Sequence, residues 1–300
     1  MQRNWQVIGL FAFAITVWGL NYSVVKMGVG LLPPLWFALL RSVTGLLFSL
    51  ALLWVIRPRS SLTRRQRLQA ILLGIPGSAL FYGFWNLGAT QIAPGLASVF
   101  IYTYPLWTLF LSIPILNDWP GGKKTGAAFL GFFGVALTAQ IGFISVSAGQ
   151  IGAVLELIVA GFGFAFMNTC FKKLFGKDQL LRANVWQLAG SLIVLAPWAF
   201  ITTPSPKIDF GPDLLFVLIW VGGIGTAFVY VAFFTLMSRY SVSSLTAYFF
   251  LVVVVALVSA YLISAETIDA LQAAGVVAII VAIYLVGQSD KPKQYAAAAH

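Results

Sequence analysis

Much of the equipment of a soluble enzyme is missing from this chain. A single cysteine, Cys170, excludes an internal disulfide and a cysteine-rich metal site. A single histidine, His300, ends the segment YAAAAH, which reads as a vector-derived scar and is set aside. Without further histidines, the Ser–His pairs and His-bearing metal sets of hydrolytic sites cannot be assembled. Acidic residues number 8 in 300, and all charged residues make up 9%, against roughly 25% in soluble domains. No Gly-rich loop ending in Lys-Ser/Thr is present, so a self-contained ATP-driven pump is excluded. Neither an enzyme nor a bound cofactor or metal is expected.

Apolar surface stands in place of these groups. Hydrophobic residues make up 60% of the chain, and mean hydropathy is +0.93. The runs are long and do not alternate, unlike the ~10-residue segments of a membrane barrel. They match the ~20 residues that a helix needs to cross a bilayer. Reading between polar breaks places ten spans near 6–27, 33–56, 68–90, 95–116, 124–142, 149–171, 184–202, 213–237, 243–263 and 271–288. The expected class is an all-α polytopic membrane protein with no soluble domain. The first span is too long for a signal-peptide core and no small-residue cleavage site follows it, so it is expected to stay.

The formal charge of +10 could suggest a nucleic-acid partner, but its distribution argues otherwise. With the N-terminus in the cytoplasm, 15 of the 18 Lys and Arg fall in inside segments, among them Arg57, Arg59, Arg64, Arg65, Arg67, Lys172, Lys173, Lys177 and Arg182. Lys26 and Lys207 fall outside, and Arg41 lies within a span. This asymmetry sets helix orientation. It predicts cytoplasmic termini and accounts for the basic excess without nucleic acid. The expected partners are the lipid bilayer and a small-molecule substrate, and a monomer suffices for that reading.

The phrase WGLNYSVVK (Trp18 to Lys26) has an echo in FMNTCFKK (Phe166 to Lys173), with Asn21 and Asn168 147 residues apart. Tyr82 meets Tyr230 and Asp118 meets Glu266 at 148, and Gly126 meets Gly275 at 149. A duplication follows, with one five-helix repeat over residues 1–145, a second over 146–290, and a tail over 291–300. Because five is odd, the repeats must enter the membrane in opposite senses. Such inverted repeats build secondary transporters, with the substrate site near the midplane between them.

The phrases WGLNYSVVK, PPLWFALLR, GLASVFIYTYPLWTLFLS and GAAFLGFFGVAL, with the short acidic span ends at Asp118 and Glu266, resemble the EamA-type branch of the drug/metabolite transporter superfamily. The resemblance runs over nearly the whole chain and extends to bacterial exporters of aromatic amino acids. It implies ten helices in two inverted halves around a central cavity, in the bacterial inner membrane. It also implies export of small metabolites by alternating access, the halves rocking about that cavity. Exporters of cationic drugs share these motifs, and a channel remains a third reading.

In lipid, a polar side chain must find a partner in the bundle or face water. Trp18, Asn21 and Tyr22 share one face of the first span. Ser78, Tyr82, Asn86 and Thr90 recur every four residues in the third, beside Trp85, and Tyr102 follows in the fourth. The second half supplies Asn168, Gln187 with Trp186 at its border, Tyr230 and Tyr248. Single Asn and Ser residues read first as interhelical hydrogen bonds and only second as cavity groups, whereas the four-residue stripe of the third span favours a cavity wall. Trp5, Trp54, Trp119 and Trp198 lie near span ends, where interfacial anchoring explains them. Arg41 and Glu156 are the ionisable residues well inside spans, both ~10–12 Å deep at ~1.5 Å per residue. A pair between them would lower the cost of each, and Glu156 is the sole intramembrane candidate for proton coupling. The GFGF and GGIG stretches read as close helix packing, and Pro76, Pro105 and Pro114 as kinks.

Overall fold

In a bilayer every backbone N–H and C=O must be bonded within the spanning segment, which drives apolar runs into helices. The computed structural model describes residues 2–92, 94–138, 140, 147–264 and 269–289, and among these it holds helices and no strand. In chain order they are α1 (Gln2–Leu31), α2 (Pro34–Ile56), α3 (Arg64–Gln91), α4 (Pro94–Ile101 and Tyr104–Leu116) and α5 (Gly122–Thr138). The second set is α6 (Ile151–Leu174), α7 (Leu180–Thr202), α8 (Pro212–Met237), α9 (Val242–Tyr248 and Leu251–Ser264) and α10 (Ala270–Ser289). α5, at 17 residues, is just long enough to cross, and residues 139, 141 and 142 of the span expected at 124–142 lie outside the described ones. Glu266 and the tail 291–300 lie outside them as well.

Local chemistry sets the ends. Pro34 opens α2 at the first helical turn, where a missing N–H costs nothing. Arg57 closes it in the left-handed conformation, its N–H bonded to the Leu53 carbonyl, and Pro58 prevents continuation. Thr63 and Gln66 form a capping box that starts α3. The bundle is inside-out relative to a soluble protein. Leu47, Phe133, Ile193, Ile201 and Val277 point outward, while Ser42, Ser49, Thr108, Asn168 and Asn184 are buried.

Hydrogen bonds define two ends. At the basic end, Gln66 donates to the Leu174 carbonyl, Arg182 to the Pro58 carbonyl and Lys124 to Ser244 Oγ. There Lys172 donates to the Met237 and Tyr240 carbonyls, at the C-terminus of α8. At the opposite end Lys26 donates to the Ala89 carbonyl near the C-terminus of α3, 2.9 Å away, and Trp36 to the Thr203 carbonyl. Lys172, rather than Lys173, is therefore the structural counterpart of Lys26.

The packing runs between the halves far more than within them. α5 lies on α10, with Gly134 and Gly275 facing each other's carbonyls, and α2 lies on α7. The remaining major contacts come in exchanged pairs. α4 packs on α6 as α9 packs on α1, α3 on α7 as α8 on α2, and α3 on α6 as α8 on α1. Two bodies result, one of α3, α4, α6 and α7 and one of α8, α9, α1 and α2. Each draws helices from both halves.

Candidate substrate cavity

Two irregularities bring side chains to the middle of the bundle. In α3, Pro76 has no N–H to give the Leu72 carbonyl, and the helix widens into a π turn over Ile75–Leu80. In α4, Pro105 cannot bond the Ile101 carbonyl, and the helix breaks at Tyr102–Thr103, with the Thr103 hydroxyl on the Phe100 carbonyl at 2.7 Å. Glycines on α6 fit against both places. A Cβ on Gly163 would lie 2.4 Å from the Pro76 carbonyl oxygen, and one on Gly161 2.7 Å from that of Ile101. The GFGF stretch is thus a packing surface. α8 carries its own π turns over Ile219–Phe228, where Gly225 is pressed against Asn21 and its carbonyl accepts from Trp18 Nε1 at 3.0 Å.

Between these elements lies a cavity of about 30 Å³. α1 contributes Trp18 and Tyr22, α2 Arg41, and α3 Phe81, Tyr82 and Trp85. The α4 break adds Ile101, Tyr102 and Tyr104, α6 adds Phe164, and α8 adds Gly225 and Tyr230. The rings meet edge-on or tilted, with Tyr22 5.2 Å from Trp85, Tyr102 5.3 Å from Tyr104 and Phe164 5.2 Å from Tyr104. Ligand pockets usually hold at least ~300 Å³, so the cavity in this conformation is smaller than a pocket of that kind.

One full charge sits in this wall. Arg41 is 2% exposed, and its Cζ lies 4.1 Å from the centre of the Tyr82 ring and 5.1 Å from that of Trp85. Its Nε and Nη1 have no hydrogen-bond partner, nor does the buried hydroxyl of Tyr104. Tyr82 Oη is 3.5 Å from Thr226 Oγ1, which is itself bonded to the Val221 carbonyl.

Of the residues named from sequence, Trp18, Tyr22, Tyr82, Trp85, Tyr102 and Tyr230 line the cavity together with Arg41. The others lie elsewhere, for identifiable reasons. Ser78 accepts from Gln187 Nε2 at 2.7 Å, so these two join α3 to α7. Asn86 donates to the Pro34 carbonyl and Asn168 to the Phe164 carbonyl four residues back. Asn21 is fully buried behind Gly225. Tyr248 packs with Phe11 and Tyr240 towards the basic end. Trp186, one step around the helix from Gln187, faces outward at 38% exposure and lies 5.9 Å from the Arg67 guanidinium. The expected Arg41–Glu156 pair does not form. Glu156 is half-buried on α6 outside the cavity lining, with Oε2 unbonded, while Arg41 stacks on rings of α3. Sequence reasoning also missed Phe81, Tyr104 and Phe164 as wall residues. For Tyr104, the adjacent Pro105, marking a break, was the available signal.

An aromatic cavity held between two interlocked sets of five helices is a transporter's arrangement, and comparison with known proteins decides the family. Residues 5–140 match the EamA-like transporter family, and residues 151–288 match it again. The chain belongs to the EamA-like transporter family. It is accordingly a multi-pass membrane transporter of small molecules and not an enzyme. It is 27% identical over 297 residues to the uncharacterized transporter YvbV of Bacillus subtilis, covering 96% of this chain and 93% of the relative. It is 26% identical over 296 residues to a probable amino-acid metabolite efflux pump of Escherichia coli, covering 95% of each. A segment of 222 residues is 29% identical to an S-adenosylmethionine uptake transporter of Rickettsia prowazekii, covering 72% of this chain and 71% of that one. A solved structure at 13% identity superposes with a TM-score of 0.74 over 94% of this chain and 96% of its own, which shows a shared fold.

Proposed function

We propose that this transporter exports amino acids or closely related metabolites with aromatic or bulky apolar side chains. The observation that carries the reading is the cavity itself, where Trp18, Tyr22, Trp85, Tyr102 and Tyr104 offer flat apolar faces and hydroxyls at one place. An aromatic cargo gains there from stacking and from leaving water. The amino-acid efflux relatives support export, and the basic end, taken as cytoplasmic, orients the chain in the bacterial inner membrane with both termini on the cytoplasmic side.

Two inverted five-helix repeats are supported by the doubled family match and by the exchanged packing pairs. Alternating access then takes a particular form. Because each body mixes helices of both repeats, the units that rock are the α3–α4–α6–α7 and α8–α9–α1–α2 bodies rather than the repeats themselves. The cavity lies between them and opens at one end or the other. Glu156 lies outside the wall, which favours gradient-driven efflux over a proton carried by that carboxylate.

The test is flux from liposomes containing the purified protein, with a panel of amino acids, cationic drugs and S-adenosylmethionine, each with and without a pH gradient. Saturable, stereoselective amino-acid flux supports the proposal. Drug flux alone, or unsaturable flux, replaces it with the drug-exporter or channel reading.

A further inference from the structure

The cavity wall is electrically one-sided. Among the described residues its only full charge is Arg41, nearly completely buried, and no aspartate or glutamate lines the same space. A guanidinium stays protonated in proteins, so the site carries a standing positive charge in a low-dielectric setting. Such a charge is costly unless an anion meets it. The surroundings go only part of the way, because the faces of Tyr82 and Trp85 stabilise the cation weakly from above. They also fix the plane of the guanidinium and leave its edge free. Donors on Nε and Nη1, and the hydroxyl of Tyr104, are buried at the same cavity with no hydrogen-bond partner.

From this we infer that Arg41 is the receptor for a carboxylate on the cargo, so that the transporter carries monocarboxylates with an aromatic or bulky apolar body and rejects amines of the same shape. The inference rests on the reading of this cavity as the cargo site. The planar fork of an arginine matches the two oxygens of a carboxylate, and such charge-assisted bonds are roughly twice as strong as neutral ones. The aromatic walls then take the body of the molecule. A free amine, by contrast, would bring a second positive charge beside Arg41 with no wall carboxylate to offset it. An α-ammonium on a zwitterion is tolerable, since the carboxylate answers Arg41 while ring faces and hydroxyl oxygens of Tyr104 and Tyr230 accept the ammonium. The wall thus selects on the presence of a carboxylate, not on the absence of an amine.

The experiment uses ligands of matched shape: 3-phenylpropionate, phenylalanine, 3-phenylpropanamide and phenethylamine. Binding to the purified full chain is read as thermal stabilisation and as change in tryptophan fluorescence, because Trp18 and Trp85 line the cavity. Flux of the same compounds is read in liposomes. The expected result is binding of 3-phenylpropionate and phenylalanine at least tenfold tighter than of the amide or the amine. In Arg41→Gln the two carboxylates fall to the level of the amide, and in Arg41→Lys they recover in part. Equal or tighter binding of phenethylamine by the wild-type protein overturns the inference with no variant needed, so the test stands even where Arg41→Gln folds poorly. Undiminished carboxylate binding in a folded Arg41→Gln overturns it equally. Arg41-dependent binding without any flux would leave the carboxylate receptor standing and remove the transporter assignment of the cavity, whereas flux indifferent to ligand charge does the reverse.

Discussion

The two helix breaks occupy matching places, Tyr102–Thr103 in α4 and Phe249–Phe250 in α9, 147 residues apart, yet they have opposite fates. The first turns hydroxyl-bearing rings, Tyr102 and Tyr104, into the cavity. The second is plugged. Phe249 and Phe250 are fully buried, and Phe249 lies 4.9 Å from Trp18 and 5.4 Å from Phe233. The same contrast holds 147 residues on from two further wall positions, whereas Tyr82 and its match Tyr230 both line the cavity. Tyr22 is answered by Thr169, whose hydroxyl is bonded to the Ala165 carbonyl, and Arg41 by the fully buried Leu188. The two breaks thus differ in what they border, a cavity at the first and packed rings at the second.

The comparison can be broken most severely at Phe249. Phe249→Ala empties the packed copy and is expected to cost about 3–5 kcal/mol of stability, read as a fall in the unfolding midpoint of the purified protein. Tyr102→Ala enlarges a space that already exists and should cost less stability while removing most flux. Next come the hydroxyl exchanges. Phe249→Tyr buries an unpaired hydroxyl and is expected to lose about 1–3 kcal/mol. Tyr104→Phe removes one that has no partner, so stability should stay within about 0.5 kcal/mol while flux falls.

The lysines at the two ends give a smaller, directional effect. Lys26 bonds the C-terminal end of α3 and Lys172 that of α8, at opposite faces of the bundle. Removing either charged contact should release its own end by about 1 kcal/mol, roughly a fivefold change in population. Labelling of cysteines introduced beside Lys26 should rise in Lys26→Met and fall in Lys172→Met, and cysteines at the basic end should respond in the reverse sense. The smallest effect belongs to Trp54→Ala, an outward-facing residue at 71% exposure, which should leave flux unchanged where Tyr82→Ala nearly abolishes it. The opposite ranking would move the cargo site away from the α3 wall.

Span positions are legible in the sequence because the bilayer enforces one rule on every segment, and helix starts at Pro34, Pro94 and Pro212 fall within one residue of the expected 33, 95 and 213. Half of the cavity is legible for a related reason, since Trp18, Tyr22, Tyr82 and Trp85 are large, partly polar and far from the interfaces. The rest is not, because burial of a polar group looks the same in sequence whether a helix or a hollow lies opposite. Ser78 and Tyr82 are one helical turn apart, yet Ser78 meets Gln187 and Tyr82 meets the cavity. Trp186 misleads through helix geometry, as adjacent residues point about 100° apart. Arg41 reads as half of an ion pair because a buried charge demands a partner. The demand is sound, but the chain does not supply its answer.

The exchange of helices between the two bodies also governs how the protein is made. Trp18 finds the Gly225 carbonyl 207 residues further along the chain, and α1 packs on α9. Contacts so distant in sequence form late, and synthesis proceeds from the N-terminus at about 5–20 residues per second. α1 and α2 therefore wait in the lipid for roughly ten seconds or more, on the order of the time needed to deliver α8 and α9. Neither body can close while only the first half has emerged. A ribosome stalled between the halves leaves a fragment without its partners, and quality control would meet this protein as an unassembled set of helices until nearly the end of its synthesis.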